Sequence, residues 1–340
     1  MSGVMVKISV IMAVYNAERF LADAIRSVLD QSLREIELLC VNDGSTDDSL
    51  AILHEFAGKD SRIRVFSQEN QGASYTRNVA LAQATGEYLH ILDGDDMVPA
   101  SAYERMYGKA KENELDVLFF DAQALYDDAS LKEQYGNLAT YYKREKGHSD
   151  VMTGEELFYA LSADNTYRSQ ASMYLISGEY QRKKNIVFYE GIVHEDNLFT
   201  FLCIMKAGRA AHINEPLFIR RLRADSIMTK SVTHENVEGL LTCFAEMYLY
   251  AVQNIADETT KKAAVEEISA VAKSGIWKYS LISEEERERV INRSFPIQVL
   301  IRSFGDPYND LLQKRNGLNR TKTAAIPRFL KKIWKWWKRD

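Results

Sequence analysis

Asp93-Gly94-Asp95-Asp96 places three acids within four residues and follows directly on an apolar run, residues 88–92. Carboxylates two residues apart at a strand end point to one side, where they can hold a hard divalent cation and a ribose hydroxyl together. An oxygen-only site of that kind suits magnesium or manganese. Asp and Gly also favour ordinary turns, so the motif alone leaves both readings open. A second group, Glu190-Gly191-Ile192-Val193-His194-Glu195-Asp196-Asn197, precedes an apolar helical pattern at Leu198-Phe199. One carboxylate there could take a proton from a hydroxyl nucleophile, or the acids could simply offset a helix dipole. Asp43, in Val41-Asn42-Asp43-Gly44-Ser45, could accept a hydrogen bond from a nucleobase imide, and Arg77 could meet the base or a phosphate oxygen. The competing roles are a helix cap for Asp43 and a solvated helix face for Arg77.

These residues need a scaffold that brings them together, and the first hundred residues spell one out. Residues 7–14 form a short β-rich apolar run that ends at Tyr15-Asn16. Asn16 can cap a helix over 17–29, where Phe20, Leu21, Ala24, Ile25, Val28 and Leu29 recur at helical spacing. A strand at 36–41 leads through the turn 42–45 into a helix over 46–56, with Asp47 and Asp48 in its first turn. Strands at 63–66 and 88–92 flank a helix at 73–84. This βαβαβαβ order predicts a mainly parallel sheet covered on both faces. Such sheets bind ligands at the carboxyl ends of their strands, where Asn16, Asp43, Glu69-Asn70 and the acids 93–96 all fall. There is no GxGxxG after the first strand and no GxxxxGK[ST], so neither a dinucleotide fingerprint nor a P-loop is on offer for phosphates.

Beyond Pro99 the pattern predicts a strand at 116–120, a polar, tyrosine-rich excursion or small insertion over 126–150, a helix near 154–161 and a strand at 173–176. After Val232 the sequence is helix-forming, with few turn signals before Pro296.

With 340 residues, 46% of them hydrophobic, the chain can bury a large core. A net charge of -5 gives no global electrostatic case for nucleic acid. Cys40, Cys203 and Cys243 are far apart in apolar surroundings and read as core thiols, without zinc-type spacing. The first residues lack the features of a secretory signal, and no run reaches the roughly eighteen apolar residues of a membrane span. The expectation is a cytoplasmic protein.

The tail, 327–340, departs from that plain picture. At helical spacing Phe329, Leu330, Ile333, Trp334, Trp336 and Trp337 share one face, and Arg328, Lys331, Lys332, Lys335, Lys338 and Arg339 share the other. Tryptophan against a lysine face suits a helix lying in the headgroup region of an anionic membrane. Docking on the body of the protein or on a dimer partner is the competing reading. The tryptophans do not interleave with the cations as nucleic-acid stacking platforms would.

Taken together, residues 8–98 resemble the nucleotide-binding half of family-2 glycosyltransferases. The resemblance is carried by Ser9-Val10-Ile11-Met12-Ala13-Val14-Tyr15-Asn16, Asn42-Asp43-Gly44-Ser45-Thr46-Asp47, Asn70-Gln71-Gly72, Arg77-Asn78 and Asp93-Gly94-Asp95-Asp96. His194-Glu195-Asp196 is similar to the family's acceptor-side Glu-Asp motif, and 220–229 to a downstream basic segment. The resemblance implies an α/β GT-A fold: a Rossmann-like, mainly parallel central sheet flanked by helices, here with a C-terminal helical appendage. It implies a nucleotide-sugar donor site at Ala13, Val14, Tyr15, Asn16, Asn70, Arg77 and Gly94, with Asp43 reading the base and Asp93 contacting the ribose. Asp95 would coordinate a manganese or magnesium ion bridging the diphosphate, and Asp196 would be the catalytic base, supported by Glu195. Two departures stand out: Asn42 replaces the first acid of the usual Asp-Asp-Gly-Ser, and Arg221 and Arg223 stand where some relatives offer a histidine near the metal. The arginines are read as diphosphate contacts.

The implied organisation is a donor half at 1–98, an acceptor half at 99–231, a helical region at 232–326 and the tail. The implied activity is inverting transfer from a nucleoside-diphosphate sugar, by family habit a UDP-sugar, to a hydroxyl of a glycan. The tail adds an anionic membrane surface as a partner, which points to a lipid-linked acceptor, surface-polysaccharide assembly and a position at the cytoplasmic face of the inner membrane. The rival readings are a nucleotidyltransferase and a non-catalytic nucleotide- or glycan-binding protein.

Overall fold

The computed structural model describes residues 5–223 and 231–291. The tail predicted to meet a membrane, with Trp334, Trp336, Trp337, Lys331 and Lys335, lies outside the described residues, as do residues 224–230.

The chain divides into two compact units. The first, residues 1–231 and 255–263, is built on β1 (Ile8–Val14), α1 (Glu18–Leu29), β2 (Ile36–Asp43), α2 (Ser49–Ala57), β3 (Ile63–Gln68), α3 (Ala73–Gln83), β4 (Tyr88–Ile91), α4 (Ala102–Glu112), β5 (Val117–Tyr126), α5 (Ala129–Tyr135), α6 (Leu138–Tyr141), β6 (His148–Met152), α7 (Gly154–Ala163), β7 (Tyr174–Ser177), α8 (Gly178–Lys183), α9 (Asp196–Met205) and β8 (Ala210–Leu222). One eight-stranded sheet runs through it in the order β3-β2-β1-β4-β7-β5-β8-β6. The strands β3, β2, β1 and β4 are parallel, as are β5 and β8, whereas β7 is antiparallel to both neighbours and β6 to β8. The parallel half matches the predicted βαβαβαβ order, and the rest is mixed. Every residue of β2 is buried and β1 is nearly so, as expected where helices cover both faces of a sheet. The main core gathers Val10, Met12, Leu38 and Cys40 from these strands with Leu21, Ile25 and Val28 from α1.

Three local predictions need correction. Asn16 does not cap α1, which begins at Glu18 with no side-chain cap. Asn16 is left-handed (φ 48°) and accepts from the Thr46 amide at 2.8 Å, tying the end of β1 to the turn after β2. The helix expected at 46–56 starts at Ser49. Asp47, outside it, accepts from the amides of Ser49 and Glu18 at 3.0 Å each, so its carboxylate staples two loops. The strand expected to stop at 120 continues to Tyr126, because a bulge at Phe120-Asp121-Ala122 lets it stay paired with β8. The excursion that follows contains α5, α6 and β6.

The second unit comprises residues 232–254 and 264 onward. It holds α10 (His234–Asn254), most of α11 (Glu258–Leu281) and α12 (Glu284–Ile291), packed around Val237, Leu241, Tyr279, Ile282 and Val290. No described helix is long and apolar enough to cross a membrane. All three cysteines are free and buried, and burial pushes the Cys40 thiol up to about 12.

Candidate active site

The carboxyl ends of β1, β2 and β4 form the rim that the sequence predicts. Asp43, the last residue of β2, is buried; its Oδ1 accepts from Gln68 Nε2 at 2.9 Å and the Gln71 amide at 2.8 Å, and its Oδ2 from the Gly72 amide at 2.9 Å. A carboxylate offers about four acceptor positions, so one direction stays available to a ligand. Gly72 has φ 86°, a conformation only glycine adopts freely, and it presents this amide. Gly44 has φ 71°, and a Cβ there would stand 2.8 Å from the Asn70 nitrogen; the Asn70 side chain in turn donates to the Asp43 carbonyl at 3.1 Å. Asn42 donates to Ser67 Oγ and accepts from the Ser45 amide. A carboxylate can only accept, so the amide at this position does what the usual acid could not.

Arg77, on α3, is 7% exposed and not a solvated side chain. Its Nη2 donates to Asp93 Oδ1 at 2.8 Å, its Nη1 donates to Glu195 Oε1, and Nη1 lies 3.9 Å from Asp196 Oδ1. The guanidinium also lies over the Phe188 ring, 5.1 Å from its centre. Burial works against its charge, but Asp93, Glu195 and Asp196 together hold it protonated more firmly than a free guanidinium. Burial likewise opposes the Asp93 charge, and Arg77 overcomes it and keeps that carboxyl below its usual range. One arginine thus joins the strand-end acid Asp93 to the second acid group, more than a hundred residues away.

Glu195 precedes α9, yet its side chain makes no cap and turns to Arg77 instead. That removes Glu195 from the dipole-offsetting role. Asp196 opens the helix. Its Oδ1 is buried without a hydrogen-bond partner, while about a third of the side chain, 32%, remains exposed. Burial pushes its carboxyl up to about 7; Arg77 pulls the other way, and Glu195 and Asp93 add to the rise.

Asp95 is half-buried and its Oδ2 accepts from Arg223 Nε at 2.6 Å. Asp96 is buried, accepts the Arg221 amide at 2.8 Å, and is raised well above the carboxylate range by burial and then by Asp95. The two arginines read as diphosphate contacts part ways here. Arg223 reaches the Asp95 carboxylate, whereas the Arg221 guanidinium contacts the Asp95 carbonyl at 3.1 Å, Asp127 at 3.0 Å and Asp23 at 3.4 Å. A Cβ at Gly94 would meet Leu21, Ala17 and the Ala13 carbonyl at 3.5, 3.6 and 3.8 Å; Val14 is buried and Tyr15 is 54% exposed. Among the described residues no group of three or more His, Cys, Asp or Glu side chains could hold a metal ion.

Two residues escaped the sequence reading as individuals. Asn78 donates to the Phe188 carbonyl at 2.9 Å and to Glu190 Oε1 at 3.0 Å, and accepts the Phe188 amide at 2.9 Å. Arg220 places its charge near Asp93, Asp95 and Asp96. The signals were present, Asn78 beside Arg77 and a third arginine beside Arg221, but neither spacing says which partner is met.

The site thus sets an acid rim at the strand ends opposite a second carboxyl pair, with a buried arginine between them. The Glycosyl transferase family 2 profile matches residues 9–168. GlyG, a glycosyltransferase of Streptococcus pneumoniae, is 30% identical over 226 residues, 65% of this chain and 72% of that protein. The glycosyltransferase EpsJ of Bacillus subtilis is 31% identical over 65% of this chain, which spans 62% of the length of EpsJ. A cholesterol galactosyltransferase of Borreliella burgdorferi is 25% identical over 96% of this chain and 92% of its own. Among solved structures, Staphylococcus aureus TarS residues 1–349 in complex with UDP superposes with a TM-score of 0.63 at 18% identity, covering 98% of this chain and 92% of that one. The chain belongs to glycosyltransferase family 2 and has the GT-A fold.

Proposed function

We propose that this glycosyltransferase transfers a sugar from a UDP-sugar to a glycan hydroxyl with inversion at the anomeric carbon, and that Asp196 is the base. The observation that carries this reading is the Arg77 bridge, which sets a donor-side acid, Asp93, and a one-third-exposed carboxyl raised to about 7, Asp196, on either side of one guanidinium. As the acceptor oxygen bonds to the anomeric carbon, its proton passes to Asp196. The bond from that carbon to the diphosphate breaks, and its electron pair leaves with the diphosphate. Attack from the face opposite the leaving group inverts the centre. Asp43 has an acceptor direction left for a base imide, and the Asn70, Ala13–Asn16 and Gly94 surface lies along the same rim. The UDP complex of TarS supports uridine as the base.

The residues fit a divalent cation. Magnesium-type sites use one or two carboxylates plus substrate phosphates rather than an all-protein cage, and Asp95 is a half-exposed hard-oxygen donor whose present partner is a cation, Arg223. Asp95 would hold manganese or magnesium there, which would supply Lewis-acid stabilisation of negative charge.

The state of Asp196 sets the pH dependence. A base must be ionised, and a carboxyl raised to about 7 stays protonated below that pH. kcat/KM is therefore expected to fall about tenfold per pH unit below about 7. A limb near 4, the ordinary aspartate range, contradicts the assignment.

The acceptor is proposed to be lipid-linked and to belong to surface-polysaccharide assembly, with the enzyme peripheral on the cytoplasmic face of the inner membrane. The support is the complete segregation of cations and tryptophans in the tail sequence, and a full-length relative named for a lipid acceptor. Removing residues 327–340 is expected to abolish co-sedimentation with vesicles containing about a third phosphatidylglycerol. Undiminished sedimentation of the shortened protein rules out the tail as anchor.

A further inference from the structure

The segment that delivers Asp196 is unusual in its backbone. Between α8 and α9, Asn185 (φ 49°), Gly191 (φ 76°) and His194 (φ 67°) all have positive φ. For a side chain such as that of His194 this conformation is disfavoured, and it persists only where neighbours over-determine it. No regular element supports the stretch 184–195.

The neighbours that hold it are two consecutive residues of α3. The Asn78 carboxamide pairs with both the amide and the carbonyl of Phe188, as a neighbouring β-strand would, and reaches Glu190 with the same nitrogen. Arg77 holds the far end of the segment through Glu195 and, with the other arm of its fork, Asp93. Phe188, pinned by Asn78, stacks flat on Phe199 of α9 at 3.7 Å between ring centres and lies under the Arg77 guanidinium. The two anchors therefore share a ring.

We propose that Arg77 and Asn78 act as a clamp that positions the base: Asn78 fixes the strained segment, Arg77 fixes its end relative to the donor-side acid, and neither reads the nucleotide. This rests on Asp196 being the base. Both terminal nitrogens of Arg77 lie on protein carboxylates and its buried Nε has no partner, while Asn78 spends its oxygen and its amide nitrogen on Phe188 and Glu190, so every hydrogen bond these two side chains make goes to the protein. A general base loses its effect when it drifts from hydrogen-bond reach of the proton it must take.

The test uses the full chain and three readouts: hydrogen exchange, UDP affinity and turnover. Hydrogen exchange is followed in peptides covering 186–196, and UDP binding is measured by calorimetry with manganese present. Asn78→Ala, with Glu190→Ala as a milder variant that removes one of the three hydrogen bonds, is expected to speed exchange in this segment about tenfold or more. UDP affinity should stay within about threefold of wild type, and turnover should fall at least about thirtyfold, with kcat rather than donor KM carrying the loss. Arg77→Lys, which keeps the charge but not the fork, should lower kcat in the same way. Unchanged exchange in Asn78→Ala, or a loss of UDP affinity matching the loss of turnover, overturns the clamp. Asp196→Asn is run in parallel: normal turnover there removes the base assignment itself, whatever the exchange data show.

Discussion

Asp196→Asn is expected to lower turnover about a thousandfold while leaving the thermal midpoint at neutral pH unchanged or slightly raised. The activity loss follows from the role: asparagine has nearly the same shape but cannot accept the acceptor proton, and general-base contributions run to about 10²–10⁴-fold. The stability outcome follows from the environment. Asp196 Oδ1 is buried with no hydrogen-bond partner, and burial raises the carboxyl to about 7. A carboxyl raised in the folded state contributes its stability below the unfolded value of about 3.9 and loses it as pH climbs through about 7. At neutral pH the native protein therefore bears a cost that the amide does not. A merely structural Asp196 would show the opposite pattern, a lower midpoint with turnover spared. Activity assays and differential scanning calorimetry on the same preparation separate the two.

Asp95→Ala carries the second large expectation, a loss of about a hundredfold to a thousandfold in turnover together with the loss of any response to manganese. A Lewis acid on the leaving diphosphate is worth several kcal/mol, and each ~1.4 kcal/mol is tenfold in rate. The pairing of Asp95 with Arg223 offers a control. If Asp95 mattered only as the partner of that arginine, Arg223→Gln would reproduce the whole effect, including the lost metal response. Arg223→Gln is instead expected to keep its dependence on manganese.

Much of this site was legible because parallel α/β sheets put their chemistry in one place. Asp43, Asn70 and Asp93 sit at strand ends whose apolar runs are plain in the sequence, and the spacing of those runs fixes the rim. What stayed hidden depends on contacts between distant segments. The segregation of an α3 face cannot reveal that Arg77 is buried against Glu195, a separation of 118 residues. The antiparallel insertion of β7 between β4 and β5 leaves no local trace in the four residues Tyr174–Ser177, three of them buried, which suit either strand direction. Helix starts were misplaced for one physical reason. Asn16 looks like a cap and Asp47 and Asp48 like first-turn acids, but Asn16 and Asp47 spend their acceptors on each other's loops, and Asp48, at the N-cap position of α2 without a side-chain cap, donates its amide to Glu18. Conversely, the local pattern at 154–161 sufficed for α7, where Thr153 and Glu156 form a complete capping box.

The most direct test of the central claim is release of nucleoside diphosphate from a panel of UDP-, GDP- and TDP-sugars, with and without manganese, for wild type and Asp95→Ala. The wild type is expected to release UDP from one UDP-sugar in a manganese-dependent manner, abolished in the variant, with water standing in as a poor acceptor. Release that is indifferent to manganese and to Asp95, or formation of pyrophosphate in place of a nucleoside diphosphate, contradicts it.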